Sequence, residues 1–330
     1  DLVLVAPATA NTLASLAAGS AGNLLTMAVL AAQCPLLIAP AMDSGMFEHP
    51  ATRANVQLLL DRGAYFIGPA EGRMASGLIG RGRMVEPQEI LGHVRYVLGR
   101  DGELSGRRVV VSAGGTREAI DPVRAITNRS SGKQGYALAQ AALDRGADVT
   151  LVTAPTQLEP PIGADVVNVD SASDMLEAVL EEAASADALL MAAAVADFRP
   201  AREAGEKIKK DGSGLKLELE PTKDILKEVA ALRESSGYPK LVVGFAAESE
   251  KVLDNARAKL DAKKLDLIAA NDISRSDAGF AVDTNQVTLI DAEHTLELPL
   301  QSKEETANMI LDRATVLLKG GVSDGTARNG

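Results

Sequence analysis

The stretch VVVSAGGTREAIDPVRAITNRSSGKQG, residues 109–135, decides the fold. Val109 to Val111 form the continuous apolar run of a strand buried on both faces. The run breaks at Gly114-Gly115, and a helical pattern resumes only at Gly135. Glycines at the carboxyl end of a first strand mark where an open parallel sheet takes ligands, because backbone amides can approach an anion with no side chain between. Alone, the pair is equally an ordinary tight turn. The loop that follows carries Arg124, Arg129 and Lys133, and Ser130-Ser131-Gly132 lead into the helix, where unsatisfied amides and the positive dipole end favour an anion. A dinucleotide site would need its helix directly after the glycines and an acid ending the next strand. That strand ends Val152-Thr153-Ala154, which argues against an NAD(P)-dependent oxidoreductase.

Outward from this stretch the alternation continues. Residues 149–153, 166–169, 188–192, 241–245 and 267–270 read as strands, and 135–145, 174–184, 223–232 and 252–264 as helices. An alternating strand is expected over 215–219, a hairpin over 286–290 and 296–300, and a closing helix over 303–318. The first hundred residues repeat the scheme, with strands over 2–6, 35–39 and 65–68 and helices over 11–32, 52–62 and 87–98. The fold class is therefore α/β with parallel sheets. The expected division is a first domain over 1–98, a polar, glycine-rich linker over 99–106, a second domain over 107–318 and a disordered tail over 319–330. Asp1 runs straight into an apolar strand, so the chain reads as cut at its start.

With 34 Lys+Arg against 45 Asp+Glu the net charge is -11, which opposes general attraction to nucleic acid. Aromatic residues are 3% with no Trp, so stacking platforms for bases are nearly absent as well. No run has the length of a membrane span and no basic-then-apolar leader opens the chain, so a soluble cytoplasmic protein is expected. The single cysteine, Cys34, sits in an apolar run and reads as a small buried hydrophobe. His49, His93 and His294 are scattered and read as surface or packing residues.

Two further features bear on chemistry. The strand Leu189 to Ala192 ends in alanines and then Asp197, leaving room for a planar ring or ribose against backbone. Asp197 could accept from a sugar hydroxyl or help hold a metal, or simply cap a turn. Glu206-Lys207-Ile208-Lys209-Lys210 is a basic run in an acidic chain. Such runs are usually solvated surface, yet an acidic protein needs a local cluster to meet a triphosphate.

The set GGTREAIDPVRAITNRSSGKQG, AAVADF, EKIKK, GFAAE and KKLDLIAAND, in this order and spacing, resembles phosphopantothenate–cysteine ligase and covers residues 104 to about 318. The resemblance implies a Rossmann-like domain that dimerises and uses CTP with Mg2+ to join 4'-phosphopantothenate to L-cysteine through an acyl-cytidylate. It assigns Asn128 to the acyl-cytidylate, to orient the acyl group or stabilise its oxyanion, and Lys207 to the phosphates. Nucleotide contacts fall on Met191, Ala192, Ala193, Asp197, Lys223, Asp224, Ile225, Leu226, Phe245, Lys259 and Lys263. Lys223 stands where the family often has proline.

Residues 6–12 and 40–47 resemble the flavin-dependent phosphopantothenoylcysteine decarboxylase, over residues 1 to about 97. That likeness implies a flavodoxin-like, partial domain that uses FMN and yields 4'-phosphopantetheine, with Thr9 and Asn11 near the flavin. Asp43 stands where the family motif has asparagine, and Ser76 replaces the cysteine that protonates the enethiolate. A hydroxyl is a far weaker acid than a thiol, so the first unit is expected to be inactive here. The alternative is a non-catalytic nucleotide- and flavin-binding regulatory subunit.

Overall fold

The computed structural model describes residues 1–74, 76–210, 214–248, 251–272 and 284–320. The chain divides into two compact units, 1–100 and 101–330. Most of the expected tail, from residue 321, lies outside the described residues.

The first unit runs β1 (Val3–Ala8), α1 (Ala10–Ala17), α2 (Leu24–Ala31), β2 (Leu36–Pro40), α3 (Ser44–Phe47), α4 (Pro50–Asp61), β3 (Tyr65–Phe66), β4 (Ala70–Arg73), β5 (Ile79–Arg83) and α5 (Pro87–Gly99). Strands β1, β2 and β3 form a parallel sheet in that order, with Val5 opposite Ile38 and Ile38 opposite Phe66. Successive residues of β2 point to opposite faces: Ile38 packs with Leu13, Leu16 and Leu59, and Leu37 with Ile67, Val85 and Ile90. The single helix expected over 11–32 is two helices. Gly19, at φ +67, ends α1, and Asn23 starts α2 with a reciprocal cap in which its side chain accepts from Thr26 N at 3.0 Å. The β4–β5 hairpin has no strong hydrophobic alternation and was not expected. It packs close because Gly82 lacks a Cβ, which would run into the Met42 carbonyl.

The second unit runs β6 (Arg108–Ala113), β7 (Arg117–Asp121), β8 (Arg124–Thr127), α6 (Lys133–Leu143), β9 (Asp148–Thr153), β10 (Asp165–Asn168), α7 (Ala172–Ala183), β11 (Ala188–Met191), β12 (Phe198–Pro200), β13 (Leu219–Pro221) and α8 (Ile225–Ser236). It continues with β14 (Leu241–Glu248), α9 (Val252–Ala262), β15 (Leu267–Asp272), β16 (Thr284–Asn285), β17 (Val287–Ile290), β18 (Thr295–Glu297), β19 (Gln301–Ser302) and α10 (Lys303–Leu318). Among the described residues its main sheet has eight strands in the order β10-β9-β6-β11-β14-β15-β17-β18. The run from β10 to β15 is parallel, and β17 and β18 are antiparallel. From β6 the chain builds outward to β9 and β10, then crosses to β11 on the other side. The order therefore reverses between β6 and β11, the switch point at which an open α/β sheet leaves a crevice.

Burial follows the apolar runs. Val109, Val110 and Val111 are fully buried at the centre of the sheet, as are Leu189 and Leu190 beside them. Helix α6 lies close on β6 because a Cβ on Gly135 would stand 2.5 Å from that of Ala113 and 2.9 Å from the Ser112 carbonyl oxygen. The loop expected after the glycines is partly a hairpin, β7 with β8, closed by Asp121, which accepts from Val123 N and Arg124 N at 2.9 Å each. The strand expected over 215–219 is not formed as such. Only Leu219–Pro221 pairs, with Phe198–Pro200, while Leu215 and Leu217 stay exposed. The boundary between the two units falls within the segment expected as a linker, 99–106, in which Leu104 is 2% exposed with its N–H donating to Arg145 O at 2.8 Å.

Gly135→Ala is expected to destabilise the protein by about 1–3 kcal/mol through overpacking, read by urea denaturation. Gly205→Ala, with open space around it, is expected to change little. Equal stability of the two variants would contradict the close α6–β6 approach.

Candidate active site

At the switch point β6 and β11 run side by side to Ser112 and Met191, and their continuations are then held together without a ladder. Gly115 bridges Ala194, Ala194 N donates to Gly114 O at 2.8 Å, and Thr116 N donates to Ala194 O at 3.3 Å. Two fully buried hydroxyls complete the junction: Ser112 Oγ accepts from Ala193 N at 3.1 Å, and Thr116 Oγ1 accepts from Ala196 N at 2.9 Å. Gly114 lies at φ +81, and a Cβ there would stand 2.6 Å from Ala154 O. Neither the left-handed backbone nor the close approach admits a side chain. The glycine pair is therefore more than a turn; it lets the alanine run cross over the end of the first strand.

Over this junction opens a cleft of about 510 Å³. Asn128, Met191, Ala192, Ala193, Asp197, Lys223, Asp224, Ile225, Leu226, Phe245, Lys259 and Lys263 all line it, together with residues 130–135. Residues more than a hundred positions apart are thus assembled on one wall system. Helix α6 has Gly132, φ +76, at its N-cap with no side-chain cap, and the residues of its first turn line the cleft, where an anion site would place them. Thr222 fastens the next loop, donating its hydroxyl to Ala196 O at 2.6 Å and its N–H to Asp197 O at 2.9 Å. Asp224 caps α8, accepting from Lys227 N at 3.3 Å, and pairs with Lys263. Burial lowers the pKa of Lys263, and the negative charge of Asp197 works against that shift.

Asn128 departs from the expectation in one respect. Its Nδ2 donates to Val195 O at 2.9 Å and to Ala194 O at 3.3 Å, so both amide hydrogens are engaged on the alanine loop. Only its carbonyl oxygen remains, and that can accept but not donate. An oxyanion cannot be stabilised by such a group in this arrangement, whereas a hydroxyl or amide N–H of a ligand can be oriented by it.

Lys207 is not among the residues lining the cleft. Its run is anchored elsewhere: Ile208 N donates to Asp121 Oδ2 at 3.1 Å, Arg124 donates to Ile208 O at 2.9 Å, and Lys207, Lys209 and Lys210 are exposed. Arg124, expected to meet an anion, instead donates from Nε to Asp121 at 3.0 Å. That bond, with backbone N–H groups of Val123, Ile208 and Arg124, holds the buried Asp121 carboxyl well below the usual carboxylate range. The residues that sequence reasoning missed are the positioning groups Ser112, Thr116 and Thr222, and the polar wall Gln134, Asn271, Asn285 and Lys303. A hydroxyl directly after an apolar strand run was the available signal for Ser112, and one directly after the glycine pair for Thr116.

In the first unit, Thr9 caps α1 just past the carboxyl end of β1, accepting from Thr12 N at 3.4 Å, and Asn11 is exposed in the first turn of that helix. Ala41 N donates to Ala8 O at 3.0 Å, bringing the ends of β1 and β2 together, and Asp43 follows. Ser76, on the β4–β5 turn, donates to Asp43 Oδ1 at 2.5 Å. Two residues 33 positions apart are thereby joined at one sheet edge. Cys34 is only half-buried, against the expectation of burial, because it lies in the connection between α2 and β2 rather than in the strand. His49 caps α4, accepting from Ala51 N at 3.2 Å, and His294 lies against Arg313. Among the described residues there is no cluster of His, Cys, Asp and Glu able to hold a metal by itself, and no helix long and apolar enough to cross a membrane.

Fold and site together define a two-unit α/β protein whose second unit carries a ligand cleft at the switch point of a doubly wound sheet. Residues 104–317 match the family described as DNA/pantothenate metabolism flavoprotein, C-terminal domain, and residues 1–99 match the family described as flavoprotein. The coenzyme A biosynthesis bifunctional protein CoaBC of Bacillus subtilis (strain 168) is 46% identical over 323 residues, 97% of this chain and 79% of that protein. A cysteine/cysteine sulfinic acid decarboxylase from an unknown prokaryotic organism is 43% identical, over 96% of this chain and 89% of that one. A crystal structure of the C-terminal domain of a coenzyme A biosynthesis bifunctional protein CoaBC is 40% identical and covers 66% of this chain and 98% of that one, with a TM-score of 0.56. The chain belongs to the CoaBC family. Both domains of the family are represented, and these matches lend no support to the expectations of a cut start and an inactive first unit.

Because the folded pKa of Asp121 is depressed, its ionised form stabilises the hairpin and the tethered lysine loop fully above the unfolded value of about 3.9, and this is lost as pH falls below it. Asp121→Asn is expected to be less stable than the parent at pH 7, with the gap narrowing toward pH 3 in urea denaturation. A gap independent of pH would contradict the assignment.

Proposed function

We propose that the second unit, residues 107–318 and Rossmann-like, joins 4'-phosphopantothenate to L-cysteine at the expense of CTP. The observation that carries this reading is the convergence on one cleft of every nucleotide-type residue except Lys207, around an asparagine aimed at the same loop. The substrate carboxylate attacks the α-phosphorus of CTP and pyrophosphate leaves, giving the acyl-cytidylate. The cysteine amine then attacks the acyl carbon, CMP leaves, and the amide forms with loss of a proton. Lys133, Lys259, Lys263 and the first-turn amides of α6 supply positive potential against the charge on the departing phosphates. Mg2+ would arrive on the nucleotide, and the carboxylates lining the cleft, Asp197 and Asp224, are of the hard oxygen type that suits it. Asn128 orients the acyl chain through its carbonyl oxygen. Lys207, on its exposed loop, would reach the phosphates only if residues 206–210 move.

The first unit, residues 1–98 and flavodoxin-like, would take the ligation product and return 4'-phosphopantetheine. The exposed Thr9 and Asn11, with the half-buried Met42 after β2, suit a flat ring lying on backbone, and these residues would flank FMN. FMN, when bound, would supply a reversible two-electron acceptor for the cysteine thiol, so that the carboxylate leaves as CO2 and the electron pair returns to the product with no net oxidation. Asp43 accepts the Ser76 hydroxyl and keeps that proton at the edge where the product would be held. We take the protein to act in the cytoplasm on small molecules alone, and to pair through its second units.

The purified chain is expected to release pyrophosphate from CTP in the presence of phosphopantothenate and to form amide product with cysteine. Lys263→Ala should raise KM for CTP about tenfold, and Asn128→Ala should lower kcat/KM for phosphopantothenate about 10²-fold through misorientation. Tight CTP binding with no product in the parent chain, unchanged in both variants, would replace the ligase with a non-catalytic nucleotide-binding subunit.

A further inference from the structure

Gln134, Asn271, Asn285 and Lys303 line the cleft, and the ligase reading leaves them without a role. Antiparallel pairing of β15 with β17 sets Asn271 opposite Val287, and Asn285, which ends β16, lies two residues before Val287, so both asparagines stand at the same end of that strand pair. Asn285 is 5% exposed, and a chain of hydrogen bonds fixes which way its carboxamide faces. The backbone carbonyl of Lys303 can only accept, so Gln134 turns its Nε2 to it, at 3.3 Å. Gln134 Oε1 then faces Asn285 and accepts from Nδ2 at 2.8 Å. Asn285 Oδ1 is left over as a buried acceptor with no partner among the described residues, and Asn271 Oδ1 is in the same condition.

Buried acceptors without donors are rare in folded proteins because each loses its hydration for nothing. What satisfies these two must donate. A hydroxyl has one hydrogen to give, whereas an uncharged amino group has two, which matches a pair of acceptors. A metal ion is disfavoured by Lys303, a cationic residue only 8% exposed on the same wall.

We propose that Asn271 and Asn285 form an amino-group subsite of the cleft, with Gln134 as the positioning residue that orients Asn285. The inference rests on the ligase reading, under which two ligands carry such a group: the aminopyrimidine base of the nucleotide and the amino acid. In both, N–H groups meet carboxamide oxygens.

The test uses the full chain and the variants Asn271→Ala and Asn285→Ala, with Asn285→Ser in place of the latter if it does not fold. Initial rates are measured with CTP, UTP and cysteine varied in turn, alongside thermal melting. A rise of about tenfold in KM for one ligand alone is expected at nearly unchanged melting temperature. If that ligand is CTP, and preference for CTP over UTP falls by the same factor, the occupant is the base. If it is cysteine, with KM for CTP unchanged, the occupant is the uncharged amine of the amino acid. Both KM values within twofold of the parent in folded variants would overturn the subsite, as would a fall in kcat and melting temperature that spares both KM values. Should the parent chain release no pyrophosphate, the ligase reading fails by itself. Calorimetric titration of CTP and of cysteine into the same variants then decides the subsite by the same tenfold criterion.

Discussion

The second unit depends on one junction: the hydroxyls of Ser112 and Thr116 accepting the amides of Ala193 and Ala196 over a glycine pair that has no side chains to interfere. Parallel strands that diverge at a switch point leave backbone N–H groups unpaired at the floor of the crevice, and unpaired buried amides are costly. Here a hydroxyl near the end of the first strand and another just past the glycine pair satisfy them. The alanine run is thereby fixed without bulky side chains, the cleft floor stays shallow and backbone-lined, and Asn128 can reach Val195 from the opposite loop. Without the junction the same residues would be a loose strand end.

Electrostatics then builds on a rigid floor. The chain is acidic overall, yet Lys259 and Lys263, on and just past the end of α9, lie in the cleft, and Lys263 is placed by its pairing with Asp224. Partial burial lowers the lysine's pKa, which is the cost of holding a cation in the cleft rather than leaving it in water. The basic run at 206–210 takes the opposite course. Its backbone is tied to Asp121, whose carboxylate is committed to structure, while its lysine heads remain in solvent. Two clusters of the same composition thus do different work, separated by which atoms are tethered.

Much of this was legible in the sequence, and for physical reasons. The valine run of β6, the glycine pair and the helix pattern after it fix a parallel α/β unit because few other conformations accept that order of burial and breaker residues. Of the cleft residues, Ser130 to Lys133 and the alanines and Asp197 after β11 were readable from local pattern, whereas Phe245, Lys259 and Asn128 were readable only through resemblance, since they share none. What could not be read were interactions between distant polar groups. The β7–β8 hairpin rests on Asp121 bonding its own turn, the direction of the Asn128 amide depends on carbonyls 66 and 67 positions away, and Asn285 is oriented by Gln134 from across the unit. The helix expected over 11–32 failed because apolar periodicity was allowed to override Gly19 and Asn23, whose backbone demands end one helix and start another.

The central claim is that this cleft activates a carboxylate by joining it to a nucleotide. Its most direct test is isotopic. With phosphopantothenate labelled with oxygen-18 in its carboxylate, the purified chain, CTP and cysteine, one labelled oxygen should appear in the phosphate of CMP, because the acyl–oxygen bond breaks when the amine attacks. Label absent from CMP while amide product accumulates would contradict the acyl-nucleotide and, with it, the account of what the switch-point cleft is built to hold.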